Sequence, residues 1–583
     1  MKFNDNFLYS SIFVNRLQFL GVQHAVISPG SRNTPLIAAL HENTEIIKTI
    51  ILDERSAAFF ALGLAKTTKS PVLIVTTSGT AVAELYPAII EAFQSRIPLI
   101  VCTADRPAEL LNCGENQAIN QDNIFINHIK SYYYFNNLEP SVDKLLNLIN
   151  TTTHCFNTAN LLNRGPVHIN FPFSKPLEPN AFNIELSDDL FSNITEKIAE
   201  KNNVYEIPPE CIKAEITELI SELCTFNKGI FIIGGGNYSD NFYDALYLIA
   251  KKLGFLIYAD ILSSFQFNIN DKEGILINNL PFILEEEKLK TSIAPEVIIQ
   301  FGVTPVNNKI LEFYKSTNAK KVLINKYGDL YDPSRTTNVI YKCCENTFLE
   351  IAEKTLSNNK NKAVHSDYKY IINKNNDIER LKEINLQQFP FSFEGNLINV
   401  ISKYISKSTP LVISNSMPVR YLGLFSVKQY SNGKIYCNRG ASGIDGNTAT
   451  AAGIAYSLNN PTILITGDLA FLHDIGSLIY INQLNIPLCI IVIDNNGGGI
   501  FNMLPIADNP NLLTPYFITP HNQNIKTITN AFGLLYQHVE SSESLESAVR
   551  IFYTTKAPTV LHFISNINES TENLKKIKKA VIV

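Results

Sequence analysis

Residues 463–471 read ILITGDLAF. Strand-forming residues run straight into Gly467 and Asp468, and an apolar Leu469 follows. A carboxylate at the end of a buried strand is costly unless it is paired or bound to a metal, so Asp468 needs a partner. The whole run TILITGD (462–468) is short, β-rich and apolar on both faces, as in a parallel strand covered by helices. The same pattern recurs in HAVISPG (24–30), VLIVTTSG (72–79), IPLIVCTAD (97–105), GIFIIGGG (229–236), EVIIQFG (296–302), KVLIN (321–325), PLVISNS (410–416) and PLCIIVIDNN (487–496). Helical patterns such as RSAAFFALGLAKTT (55–68) and TAVAELYPAIIEAFQSR (80–96) lie between them. Strands alternating with helices along the chain predict α/β domains with parallel sheets.

At 583 residues the chain is too long for one core. Two polar stretches, 177–197 and the Asn/Lys-rich 356–382, read as linkers and leave three α/β blocks near 1–180, 190–360 and 370–583. A net charge of −5, with 18% charged residues and no basic stripe, gives no electrostatic footprint for nucleic acid. Nine cysteines without a C-x-x-C pair read as reduced thiols. The first residues, with Asp5 and Arg16 bracketing a short apolar patch, do not read as a signal peptide. No apolar run reaches the ~18 residues of a membrane span. The expectation is a cytoplasmic protein with neither a membrane span nor a nucleic-acid partner.

In open α/β sheets, ligands bind beyond the carboxyl ends of the strands. Asp468 stands at one such end, and the next strand runs out in Asp494, Asn495 and Asn496, followed by Gly497, Gly498 and Gly499. Asp468 and Asn495 are 27 positions apart, room for one helix and a return strand. A carboxylate, a carboxamide oxygen and a carbonyl from a glycine-rich turn make an incomplete shell for a hard cation such as Mg²⁺, which takes its remaining oxygens from water and a ligand's phosphates. The glycines let the backbone approach such a ligand closely. Taken singly, Asp468 reads as a helix cap and NNGGG as a turn; together, at crossover spacing, they look like the thiamine-diphosphate motif.

That cofactor also needs a carboxylic acid at its pyrimidine ring, in an apolar setting that raises its proton affinity. TIILDERSAAFFALGLAKTT (49–68) offers Glu54 after a strand and before an Ala-rich helix. Asp53 competes for the role and equally suits the helix N-cap; spacing does not choose between them. Acid and diphosphate anchor lie on different domains, an arrangement often completed across subunits, so at least a dimer is expected. In the middle block, GGGNYS (234–239) lacks the third glycine of a dinucleotide fingerprint and reads as structural.

Beyond these features, the chain resembles the 2-succinyl-5-enolpyruvyl-6-hydroxy-3-cyclohexene-1-carboxylate synthases, thiamine-diphosphate enzymes of menaquinone biosynthesis. The matching stretches are SPGSRNTPL (28–36), DERSAAFFALGLAK (53–66), TTSGTAVAELYPAIIEA (76–92), TADRPAEL (103–110), NQAINQ (116–121), GPVHINFPF (165–173), NRGASGIDGNTATAAG (438–453), GDLAFLHD (467–474) and NNGGGIFNMLP (495–505). SPGSR, TADRP and RGASGIDG are the most family-specific of them. The resemblance implies three domains of the thiamine-diphosphate enzyme type: pyrimidine-binding, central and diphosphate-binding. It implies decarboxylation of 2-oxoglutarate and conjugate addition of the succinyl-semialdehyde carbanion to isochorismate, with thiamine diphosphate and Mg²⁺ or Mn²⁺ as cofactors. It carries Glu54 as the activating acid, Asp468, Asn495 and the Gly497 carbonyl as metal ligands, and Ile444 as the support between the two cofactor rings. Ser416 and Gly467 would also border the cofactor.

Both substrates are dianions, and arginine binds carboxylates through its planar fork. Arg32, Arg106, Arg420 and Arg439 all follow strand ends or lie in glycine-rich loops. By resemblance, Ser31, Arg32, Arg106 and Gln117 contact isochorismate, Arg420 and Arg439 serve the 2-oxoglutarate-derived part, and Ile500 and Phe501 wall the pocket. A homodimer or homotetramer with active sites at the subunit interface is implied. Where some relatives carry a Lys-Arg pair, VTPVNNKIL (303–311) has only Asn308 and Lys309. Rival readings are a carboligase of the acetolactate-synthase type, a dehydrogenase using the glycine cluster, and a silent binding protein on the same scaffold.

Overall fold

The computed structural model describes residues 2–135, 141–161, 163–201, 213–405, 408–427 and 433–582. Its frame is three parallel sheets, each flanked by helices. The first has six strands in the order 47–50, 24–27, 72–76, 99–105, 167–172, 132–134. The second has five, in the order 256–259, 229–233, 297–301, 320–325, 339–342. The third again has six: 435–436, 411–413, 462–467, 488–494, 559–564, 535–538. A short antiparallel pair ties Lys2–Phe3 to Ile184–Glu185. Every strand read from the sequence is present, because runs buried on both faces need a parallel sheet between helices.

Two expected linkers are folded. Within 177–197, residues 184–185 pair with the N-terminus and Asp188–Ile198 is a helix capped by Ser187. Within 356–382 begins the helix Ser366–Leu386, whose buried positions are Tyr368, Ile371, Asn375, Ile378, Lys382 and Leu386. Those positions keep helical spacing, but Asn and Lys occupy two of them. Lys382 survives burial by donating Nζ to the Leu424 carbonyl and pairing with Glu379 at 3.0 Å. Of the expected central block, residues 202–212 lie outside the described residues.

The first and third sheets meet through two helices, Glu54–Thr68 and Asn447–Leu458. Their crossing runs over Gly63 and Gly453. A Cβ on Gly63 would stand 2.2 Å from the Thr450 carbonyl oxygen, and one on Gly453 2.2 Å from that of Phe60. In the middle sheet Gly234 is packed just as tightly: its Cβ would overlap the Val303 carbonyl, so this glycine serves loop packing. No helix among the described residues is long and apolar enough to cross a membrane.

Candidate active site

Strands 462–467 and 488–494 are hydrogen-bonded neighbours, with Gly467 opposite Ile493, so Asp468 and Asn495 emerge side by side at one rim. Asp468 Oδ2 accepts the Gly497 N–H at 2.8 Å, and Oδ1 accepts that of Leu469 at 2.6 Å. Gly497 has φ +144°, and a Cβ there would meet the Ile518 carbonyl oxygen at 2.3 Å, so only glycine fits this turn. Burial raises the Asp468 carboxyl, and the neighbouring Asp494 charge adds to the shift. Asp494 is held low despite burial, chiefly by the hydrogen bond from His562 at 2.9 Å.

His521 enters this cluster unannounced by any motif. Its Nε2 lies 3.2 Å from Asp468 Oδ2 and 3.7 Å from Asp494 Oδ1, while its Nδ1 accepts the Gln523 N–H. Accepting at Nδ1 leaves Nε2 as the donor towards Asp468. Ligand atoms of Asp468, Asp494 and His521 all lie within 4.8 Å of one another, a grouping able to hold a metal ion. Asn495 adds an oxygen: its Oδ1 is buried and has no hydrogen-bond partner. A Cβ on Gly467 would meet nothing within 4 Å, so open space lies against this rim. A buried unpaired carbonyl oxygen, carboxylates and adjacent space are the donor set of a hard cation carrying further oxygen ligands. The residues present therefore fit a divalent metal and the diphosphate it would bridge.

At the rim of the first sheet, Asp53 caps the helix Glu54–Thr68; its Oδ2 accepts the Ser56 N–H and hydroxyl. With Asp53 so engaged, Glu54 is the carboxyl left over, half-buried at the first position of the helix. Burial raises its proton affinity, and the charges of Asp53 and Glu84 act in the same direction.

The arginines fall into two pairs. Arg32 is buried and donates to the Phe173 carbonyl at 2.9 Å; Arg106, also buried, donates to Ser78 Oγ and the Asn116 carbonyl. Gln117 reaches the same Ser78 through its carbonyl at 2.9 Å, from a backbone at φ +56°. Ser31 is exposed beside them. In the third domain Arg420 donates to the Ser416 carbonyl at 2.5 Å, and Arg439 to Asn415 Oδ1 at 3.1 Å. Burial, then its neighbour Arg439, lowers the proton affinity of Arg420; burial, then Arg106, does the same to Arg32. Ser416 has φ +70°, a conformation L-residues rarely adopt and one that clusters at functional sites.

The loop that carries Arg439 and Ile444 is gripped from the first domain. Buried Glu91 accepts the N–H groups of Gly440 at 3.0 Å and Ala441 at 2.7 Å. Ile444 on that loop is 39% exposed. Ile500 packs on the third domain's core, and Phe501 stacks edge-on to Phe517 at 5.2 Å. Lys309 is spoken for: it pairs with Glu312 at 2.9 Å and Glu285 at 3.3 Å. Asn308 opens the helix that Lys309 continues.

Comparison with known proteins bears on this arrangement. Residues 9–126 match the thiamine pyrophosphate enzyme, N-terminal TPP binding domain family, and residues 421–563 its C-terminal TPP binding domain counterpart. The chain is 35% identical to a 2-succinyl-5-enolpyruvyl-6-hydroxy-3-cyclohexene-1-carboxylate synthase from Crocosphaera subtropica, over 91% of this chain and 90% of that protein. It is 32% identical to a synthase of the same name from Bacillus velezensis, over 93% and 91%. A solved structure of benzoylformate decarboxylase from Polynucleobacter necessarius superposes with a TM-score of 0.71 over 97% of this chain and 99% of that one, at 15% identity, a likeness of fold alone. With three parallel-sheet domains, a metal-competent Asp468 rim and full-length relatives of this identity, the chain belongs to the 2-succinyl-5-enolpyruvyl-6-hydroxy-3-cyclohexene-1-carboxylate synthase family of thiamine-diphosphate enzymes.

Proposed function

We propose that this chain decarboxylates 2-oxoglutarate and adds the resulting four-carbon unit to isochorismate, forming 2-succinyl-5-enolpyruvyl-6-hydroxy-3-cyclohexene-1-carboxylate and carbon dioxide for menaquinone biosynthesis. The observation that carries the reading is the union of the two motif halves at one rim, Asp468 bonded to Gly497 N–H beside an unpaired Asn495 Oδ1. Bound thiamine diphosphate supplies a carbon nucleophile able to stabilise the carbanion left by carbon dioxide. Asp468, Asn495 and the Gly497 carbonyl hold its Mg²⁺ or Mn²⁺. Ser416 and Gly467 would border it, and Ile444 would support it. Glu54, whose proton affinity burial raises, would hold the pyrimidine side. Ser31, Arg32, Arg106 and Gln117 receive the isochorismate carboxylates, Arg420 and Arg439 the succinyl carboxylate, and Ile500 and Phe501 exclude water beside them.

The working division into units is 1–180, 190–360 and 370–583. A second copy completes each site, in a cytoplasmic homodimer or homotetramer. Support for this comes from the apolar side chains of Ile47, Ile50 and Leu52, exposed by 48%, 57% and 68% next to Glu54. Ile479 and Leu484 are likewise exposed after the Asp468 helix. The test is an absorbance assay of the purified protein with Mg²⁺, thiamine diphosphate and 2-oxoglutarate, with isochorismate added last. Isochorismate consumption that needs every component is the expected result. Carbon dioxide release with isochorismate left intact would replace the acceptor and keep the cofactor.

A further inference from the structure

Glu394 is 3% exposed and opens the helix Glu394–Tyr404. Its Oε1 accepts the Asn495 Nδ2–H at 3.1 Å and the Ser565 hydroxyl at 2.9 Å. The residue before it, Phe393, is wedged among Phe389, Tyr421 and Phe425, with ring centroids 5.6, 6.0 and 5.6 Å away, so the helix start is rigidly placed. On another side, a Cβ on Gly499 would come within 2.8 Å of Asn495 Nδ2, so the amide occupies room that only glycine leaves. Asn495 Oδ1, at the other pole of the amide, is buried and without a partner.

A carboxamide has two faces of opposite character: the oxygen binds a cation and the NH₂ repels one. Asn495 rotated by half a turn would have the same shape and none of the affinity. The oxygen that faces Asn495 already accepts the Ser565 hydroxyl and has only lone pairs to offer, so it accepts the NH₂ and rejects the carbonyl. We infer that Glu394 is a positioning residue of the cation site, fixing the Asn495 amide so that its oxygen and not its nitrogen is presented to the metal. The inference rests on the functional reading above and adds a buried acid that touches neither metal nor substrate. Outer partners of this kind orient metal ligands, and their loss typically costs ~10–100-fold in metal affinity.

The probe is Mn²⁺, titrated into the full-length protein with thiamine diphosphate present, with free Mn²⁺ followed by electron paramagnetic resonance. Glu394→Ala is expected to weaken Mn²⁺ binding by about 10–100-fold. Glu394→Gln, whose amide oxygen still accepts from Asn495 and Ser565, should bind within a few-fold of the unaltered protein. Asn495→Asp sets two carboxylates against each other and should weaken binding; adding Glu394→Gln supplies an NH₂ for the new carboxylate and should restore it. A purely structural acid predicts no such reciprocal rescue, and the Asn495→Asp pair decides the matter if Glu394→Ala does not fold. Mn²⁺ binding by Glu394→Ala equal to the unaltered protein's, Glu394→Gln as weak as Glu394→Ala, or no recovery in the double variant would each overturn the inference. No Mn²⁺ binding by the unaltered protein would overturn the functional reading itself.

Discussion

The first and third domains share one scaffold, a six-stranded parallel sheet, yet they dress the carboxyl ends of its strands differently. At the third sheet the key groups are acidic and satisfied within the domain: Asp468 by Gly497 and Leu469, Asp494 by His562. At the first sheet the acid Glu54 is joined by two arginines, and Arg32 and Arg106 donate hydrogen bonds to neutral oxygens of Phe173, Ser78 and Asn116. Neutral partners orient the guanidinium groups, while the nearby Asp105 and Glu115 offset part of the Arg32 charge. The comparison teaches that the scaffold sets the place and the residues past each strand set the chemistry. The acids at the third rim suit a cation, and each domain sets a pair of arginines near its rim.

The largest effect should come from breaking the acidic rim. Asp468→Ala should abolish cofactor-dependent turnover, because a metal held at this rim would lose a charged ligand. Chelation by EDTA should silence the unaltered protein, and added Mg²⁺ or Mn²⁺ should restore it but leave Asp468→Ala inactive; restoration of both would move the metal elsewhere. Glu54→Gln attacks the other domain and should leave thiamine diphosphate binding, followed by calorimetry, close to normal. Its turnover should fall by about 10²–10⁴-fold, the range of a lost acid–base group. Equal losses in binding and rate would make Glu54 an anchor instead.

The arginine rim should respond through substrate affinity. Arg106→Ala removes charge-assisted hydrogen bonds of about 1.5–3 kcal/mol, so the isochorismate KM should rise roughly 10–150-fold while cofactor affinity holds. Arg106→Lys keeps the charge but not the fork and should recover only part of the loss. A rise in the 2-oxoglutarate KM alone would exchange the assignments of the two arginine pairs.

How much of this the chain discloses depends on how far apart the interacting residues lie. The Asp468–Asn495 pair was legible because one crossover separates its halves and a glycine run follows the second. Most interior strands were legible because they are apolar on both faces, but 167–172 and 559–564, each interrupted by a histidine, were not. The edge strands 339–342 and 535–538 were not legible either, being half-exposed. The helix Ser366–Leu386 escaped notice because Asn375 and Lys382 sit on its buried face, held by hydrogen bonds that composition does not reveal. His521 and Glu394 bond to residues 53 and 101 positions away, and a contact at such a separation leaves no period in the sequence. Asp53 and Glu54 were separable only once the helix cap was visible.

Glu91 joins the first domain to the loop that carries Arg439 and Ile444, and it predicts the smallest effect. Its carboxylate spends one oxygen on Ala441 N–H and the other on Gly440 N–H and the Ser95 hydroxyl, with Lys66 Nζ 4.0 Å away and itself bonded to the Cys437 carbonyl. The first domain thus grips the loop bearing Arg439 and Ile444 without reaching the chemistry. Glu91→Gln keeps one acceptor but turns an NH₂ towards a backbone N–H, so one of these part-buried bonds is lost at a cost of about 1 kcal/mol. The melting temperature should fall, and the 2-oxoglutarate KM should rise a few-fold through Arg439, with metal affinity unchanged. Because both ends of the contact belong to one chain, the loss should not depend on protein concentration. A loss that vanished at high concentration would mean the loop is seated by a second copy, and the division of labour between the rims would have to be redrawn across the subunit boundary.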